Sequence, residues 1–80
     1  MANKKAVEIV FNRVHDALQK AVEEHPPIKS HHEGFAVIKE ELDELWDAIK
    51  KDDLFSAAHE AEQVAAMACR FLLDLYEIND

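Results

Sequence analysis

Residues 39–46, KEELDELW, crowd Glu40, Glu41, Asp43 and Glu44 into five positions, and a further carboxylate, Glu60, follows Glu44 after 15 intervening residues, with Gln63 three positions later. Same-sign neighbours at i,i+4, such as Glu40 with Glu44 and Asp43 with Asp47, each oppose an isolated helix by about 0.2–0.5 kcal/mol. Two readings follow. The acids are a solvated face, or part of the cluster holds a cation. Oxygen-only ligands, most of them anionic, suit a hard ion such as Mg²⁺ or Mn²⁺, which keeps waters and binds phosphate oxygens in its open positions.

Three helices must carry these residues. Val7, Val10, Phe11, Val14, Leu18 and Val22 recur at helical spacing and predict an amphipathic helix over residues 4–24 with one buried face, capped by Asn3 and ended by His25-Pro26-Pro27. Ser30 and Glu33 fit a capping box that opens a second helix over 31–50, with a seam of Phe35, Ile38, Leu42, Leu45 and Ile49. Gly34, the only glycine, stands one turn into that helix at a cost of about 1 kcal/mol against alanine, which suggests close approach by another backbone or a ligand. Asp52 or Asp53 can cap a third helix over 53–78, whose seam is Leu54, Ala57, Ala61, Val64, Ala68, Phe71, Leu75 and Ile78. The connection is so short that helices two and three form an antiparallel hairpin. Between Val64 and Tyr76 only Arg70 and Asp74 are charged, so one partner helix cannot cover the third helix. The expected fold is a single all-α domain over residues 1–80, a three-helix chain with an antiparallel helical hairpin that completes a helical bundle by oligomerisation.

A turn centred on Asp52 sets the register. Glu44 and Glu60 each lie eight residues from it, and Glu41 and Gln63 each lie eleven, so two pairs share heights about 4.5 Å apart along the axis. All four flank the seams, which brings three carboxylates and one amide oxygen to the rim of the hairpin. Glu40, Asp43 and Asp47 project away and read as solvated surface. The same count sets Arg70 level with Gly34, beside the N-terminus of helix two. Arginine and free helical N–H groups both bind anions, so a phosphate fits there next to His31 and His32. The alternative is an Arg70 ion pair, with Asp74 at i+4 or with an acid of a partner chain. Trp46 and Tyr76, beside the seams, read as packing aromatics.

Composition narrows the functional classes. With 17 acidic against 9 basic residues, the chain lacks the clustered cations that nucleic acid and anionic lipid require. No apolar run approaches the ~20 residues of a spanning helix, and residues 1–5 open no signal peptide, so the expected setting is cytoplasmic, with neither membrane nor nucleic acid as partner. Cys69 is alone and reads as a core residue, so no disulfide is available. A core drawn from 80 residues is marginal, which leaves metal or self-association as support. No Ser/His/Asp triad, Cys/His dyad or Gly-rich phosphate loop offers another chemistry.

The order Glu40-Glu41-x-x-Glu44, then Glu60-x-x-Gln63 inside a hairpin, resembles the MazG-like branch of the all-α nucleotide pyrophosphohydrolases, whose pattern is EExxE followed by ExxD. The text HEGFAVIKEELDELWDAIK and HEAEQVAAMACRFLLDL extends the resemblance over roughly residues 31–75. It implies Mg²⁺-dependent hydrolysis (Mn²⁺ as substitute) of a nucleoside triphosphate between the α and β phosphates, giving monophosphate and pyrophosphate, in a homodimer or homotetramer. It also implies that Glu41, Glu44 and Glu60 are metal ligands, with Glu44 positioning or activating the attacking water. Gln63 stands where the family has Asp; its amide oxygen can coordinate Mg²⁺ but removes one negative charge and weakens the site. Arg70 and His32 are the expected substrate contacts. The alternative is a non-catalytic helical binding or assembly protein that keeps the fold.

Overall fold

The computed structural model describes residues 3–76. Three helices follow in order: α1 (Lys4–Glu24), α2 (His31–Lys50) and α3 (Leu54–Leu75), with no strand among the described residues. Each start is capped by its own side chain. Asn3 Oδ1 accepts from the Ala6 amide at 2.8 Å, Ser30 Oγ from Glu33 at 3.0 Å, and Asp53 Oδ1 from Ser56 at 3.1 Å. The capping box closes one residue further upstream than its usual form. The Glu33 carboxylate accepts from the Lys29 amide at 3.4 Å instead of from the Ser30 amide. α3 ends at Leu75 with Tyr76 as its C-cap, three residues before the expected end, and Ile78 lies outside the described residues.

The α2–α3 turn has a definite chemistry. Asp52 adopts φ 57°, the left-handed region, while the amides of Asp52 and Asp53 donate to Ile49 O and Ala48 O, both at 3.0 Å. This is a Schellman ending in which aspartate replaces the usual glycine. Asp53, released from α2, at once caps α3, so α2 and α3 form the expected antiparallel hairpin. α1 packs on α3 and not on α2.

A knot of polar groups fixes α1. The Arg70 guanidinium, 3 % exposed, donates from Nε to Asp74 Oδ2 at 2.7 Å and from its terminal nitrogens to Ala21 O at 2.7 Å and His25 O at 3.1 Å. α1 has no basic residue in its last turn, and Arg70 supplies that cation from another helix. Asp74 Oδ2 also accepts from the Ile28 amide at 2.9 Å, which anchors the linker. Further along, Arg13 pairs with Glu62 at 2.7 Å.

The helix faces are turned relative to the expected seams. On α2 the covered residues are Gly34, Val37, Ile38, Glu41, Leu45 and Ala48, while Phe35, Leu42 and Ile49 are exposed. On α3, Glu60 and Gln63 are half-buried whereas Leu54, Ala61 and Ala68 face out. On α1, Val7, Val10, Phe11 and Val22 are exposed, and the covered face is Val14, Ala17, Leu18 and Ala21. Small residues let the helices of one chain approach closely, and the bulkier apolar residues are left outside. Cys69 is a half-buried free thiol. No helix is long and apolar enough to cross a membrane among the described residues.

Candidate metal centre

Glu41 and Glu44 come from one face of α2 and Glu60 from the opposing face of α3, and each offers a carboxylate oxygen that lies within 4.8 Å of the other two. The three-residue connection, Lys51 to Asp53, is the cause of this convergence: it holds the helices in one register, so side chains at equal distance from Asp52 meet. Glu41 and Glu60 are half-buried and Glu44 is exposed.

The electrostatics follow from that placement. Burial, then the charge and a shared hydrogen of Glu44, then the charges of Glu60 and Glu40, push the Glu41 carboxyl from 4.5 up to about 7. The Glu60 carboxyl is raised as well, by burial first and next by its hydrogen bond to Glu44 and by that group's charge, against the opposing pull of His59 and a hydrogen bond with Glu41. Glu60 Oε2 is buried with no hydrogen-bond partner among the described residues. An acceptor oxygen held among other carboxylates is satisfied by a shared proton, an ordered water or a cation. Three convergent carboxylates, one with an unmet buried oxygen, fit a hard divalent ion.

Two clefts flank the cluster. Glu44 and Glu60 line the smaller one, which opens toward the turn beside Lys51 and Ser56. Glu41 lines a larger cleft of about 370 Å³, whose wall also carries Gln63, Met67 and Arg70 on successive turns of α3. This larger cleft exists because α1 and α2 both lean on α3 without packing on each other.

The other expected site residues are placed differently from one another. Gln63 stands on the large-cleft side of Glu41. Arg70 makes the ion pair with Asp74 that the sequence offers as the alternative to a phosphate contact, and it is not among the nearest neighbours of Gly34. Phe71 takes that place: a Cβ on Gly34 would come within 2.7 Å of Phe71 Cε2 and 3.4 Å of Ile28 Cγ2. The close approach that Gly34 permits is therefore by an aromatic ring. His32 is exposed and does not line the large cleft, whereas His31 packs edge-on against Phe71 and Tyr76 at 5.4 and 5.8 Å between ring centres. Of the acids read as solvated surface, Asp43 pairs with Lys39 and Asp47 with Lys50. Glu40 also reaches the cleft wall, a position that its outward place on the seam diagram did not reveal.

The chain matches no family model, no curated protein and no solved structure.

Proposed function

We propose that this chain is a MazG-like nucleoside triphosphate pyrophosphohydrolase that works with Mg²⁺ or Mn²⁺ held by Glu41, Glu44 and Glu60. The observation that carries the reading is the meeting of these three carboxylates from two helices within 4.8 Å of one another. The spacing of Glu40-Glu41-x-x-Glu44 and Glu60 in the sequence agrees with it. An ion held by these three carboxylates would supply positive charge for the phosphate oxygens of the substrate. The exposed carboxylate of Glu44 accepts the proton of the water that attacks the α-phosphorus as its bond to pyrophosphate breaks, while the more enclosed Glu41 and Glu60 would hold the ion. Incubation with a panel of NTPs and dNTPs plus Mg²⁺ or Mn²⁺, followed by pyrophosphate detection, tests the reading. Turnover that is abolished in Glu44→Gln is the expected result. No turnover of any nucleotide, in both the native protein and Gln63→Asp, refutes the enzyme and leaves the non-catalytic binding or assembly protein.

Self-association belongs to the same proposal. Phe35, Leu42, Trp46 and Ile49 form an exposed apolar stripe on α2, and Leu54, Ala58, Ala61, Ala68 and Leu72 form another on α3. Patches of this extent are unusual on a monomer in water. Burying them between copies gives a homodimer or homotetramer and returns each chain to the helical-bundle architecture that its composition asks for.

A further inference from the structure

The large cleft has a chemistry distinct from that of the carboxylate cluster at its end. Its apolar lining comes from Ala17 and Ala21 of α1, Val37 of α2, Met67 of α3 and Ile28 of the linker. Its charged lining is mostly acidic. Glu24, Glu33, Glu40 and Glu41 outnumber Lys20 and Arg70, and Arg70 is already paired with Asp74. A phosphate is repelled from such a cleft unless a cation accompanies it. An uncharged ring is not. A volume of about 370 Å³ falls within the ~300–1,000 Å³ of small-ligand sites, which are likewise apolar with few placed polar groups.

Order along the hairpin gives the direction of a ligand. Starting at the turn, Lys51 comes first, then Glu44 and Glu60 on the smaller cleft, then Glu41 and Gln63 at one height on the larger one, then Met67 and Arg70. Gln63 is thus the carboxamide that stands level with the innermost carboxylate on the wall of the larger cleft. Its carboxamide carries a donor next to an acceptor, the pairing presented by the hydrogen-bonding edges of nucleobases. An aspartate there would add another negative charge to an acidic wall and could only accept.

Resting on the metal reading above, we infer that the large cleft takes the uncharged heterocyclic base of the nucleotide and that Gln63 hydrogen-bonds its edge instead of completing the metal shell. The phosphates then point toward Glu41, Glu44 and Glu60, and the leaving end points toward Lys51. A site built to hydrogen-bond one edge discriminates strongly against bases that lack it, because its own polar group is left unpaired. Gln63 is in this reading a specificity residue.

The test uses the full chain with Mn²⁺ alone, followed by ¹⁵N NMR titrations of the Mg²⁺-loaded protein with four nucleoside 5′-monophosphates and with ribose 5-phosphate. At least one nucleotide is expected to shift the amides of Val37, Gln63 and Met67, and ribose 5-phosphate is not. Gln63→Leu should weaken that nucleotide at least about tenfold, the loss of one good hydrogen bond to a base, while Mn²⁺ affinity stays within about twofold. Ala17→Phe, which fills the cleft from α1 and leaves Gln63 in place, should weaken the nucleotide in the same way. The inference is overturned if Gln63→Leu lowers Mn²⁺ affinity as far as Glu41→Gln does, if ribose 5-phosphate shifts the cleft as nucleotides do, or if no nucleotide shifts it. In each of these cases Mn²⁺ binding that depends on Glu41 leaves the metal reading standing. Nucleotide binding in the cleft without any Mn²⁺ site would sink the metal reading alone.

Discussion

Raising the pH of the metal-free protein from 5 to 8 is expected to lower its melting temperature by about 5–10 °C, and saturating Mg²⁺ or Mn²⁺ is expected to restore it at pH 8 but not at pH 5. The cause is the Glu41 carboxyl, lifted from 4.5 to about 7 by burial and by the neighbouring Glu44. A carboxyl raised in the folded state favours folding while it is protonated. That contribution is complete below pH 4.5 and is lost as the pH rises through about 7. The full displacement corresponds to about 3 kcal/mol at ~1.36 kcal/mol per pH unit. Solvent over the half-open carboxyl screens this to about 1–2 kcal/mol. In a domain of this size each kcal/mol moves the melting temperature by about 4–8 °C. Glu60 is raised too and acts in the same direction. A divalent ion held by these carboxylates would take over the role of the proton, so its stabilisation is expected to grow with pH. Thermal melts followed by circular dichroism at pH 5, 6, 7 and 8, with and without metal, measure both slopes, and Glu41→Gln should flatten them. A melting temperature independent of pH across this window, or metal stabilisation equal at pH 5 and 8, refutes the reasoning.

Three further outcomes are expected. Arg70→Met should cost about 3–5 kcal/mol in urea denaturation, because it leaves buried Asp74 without its cation and the carbonyls of Ala21 and His25 without a donor. Gly34→Ala should destabilise by about 1 kcal/mol or more, since overpacking against Phe71 at about 1–3 kcal/mol outweighs a helix gain of about 1, and Phe71→Leu in the same chain should recover most of the loss in the same assay. Ala61→Glu and Leu72→Glu, on the exposed stripe of α3, should shift light-scattering mass toward the monomer without loss of helicity, whereas a native protein that is already monomeric removes the case for self-association.

Periodicity placed the helices well because caps and prolines mark their ends in chemical terms. Asn3, Ser30 and Asp53 act as the expected caps. Heights along the hairpin were legible as well, since a three-residue connection converts sequence distance from Asp52 into axial position. Rotation was not. Apolar residues were assigned inward, yet Leu42 is 50 % exposed while Glu41 is half-covered, because a count of hydrophobic spacing does not distinguish a face covered by the same chain from one left outside it. The engagement of Arg70 was legible only in part. Asp74 lies one turn away on the same helix, but the carbonyls of Ala21 and His25 are 49 and 45 residues distant and follow from how α1 folds back. The large cleft was not legible at all, since it arises from two helices that share a neighbour and avoid each other.

That shared neighbour has a kinetic meaning. α2 and α3 meet across a three-residue connection, so their pairing closes short loops, whereas α1 reaches α3 through bonds such as Arg70 to Ala21 that span 49 residues. Closing the longer loop costs more chain entropy before any contact repays it. The hairpin therefore forms first and α1 docks onto it afterwards. The same order run backwards lets α1 swing off while the hairpin stays paired, so amide exchange in α1 should be faster than in α3 and should slow when the cleft is filled.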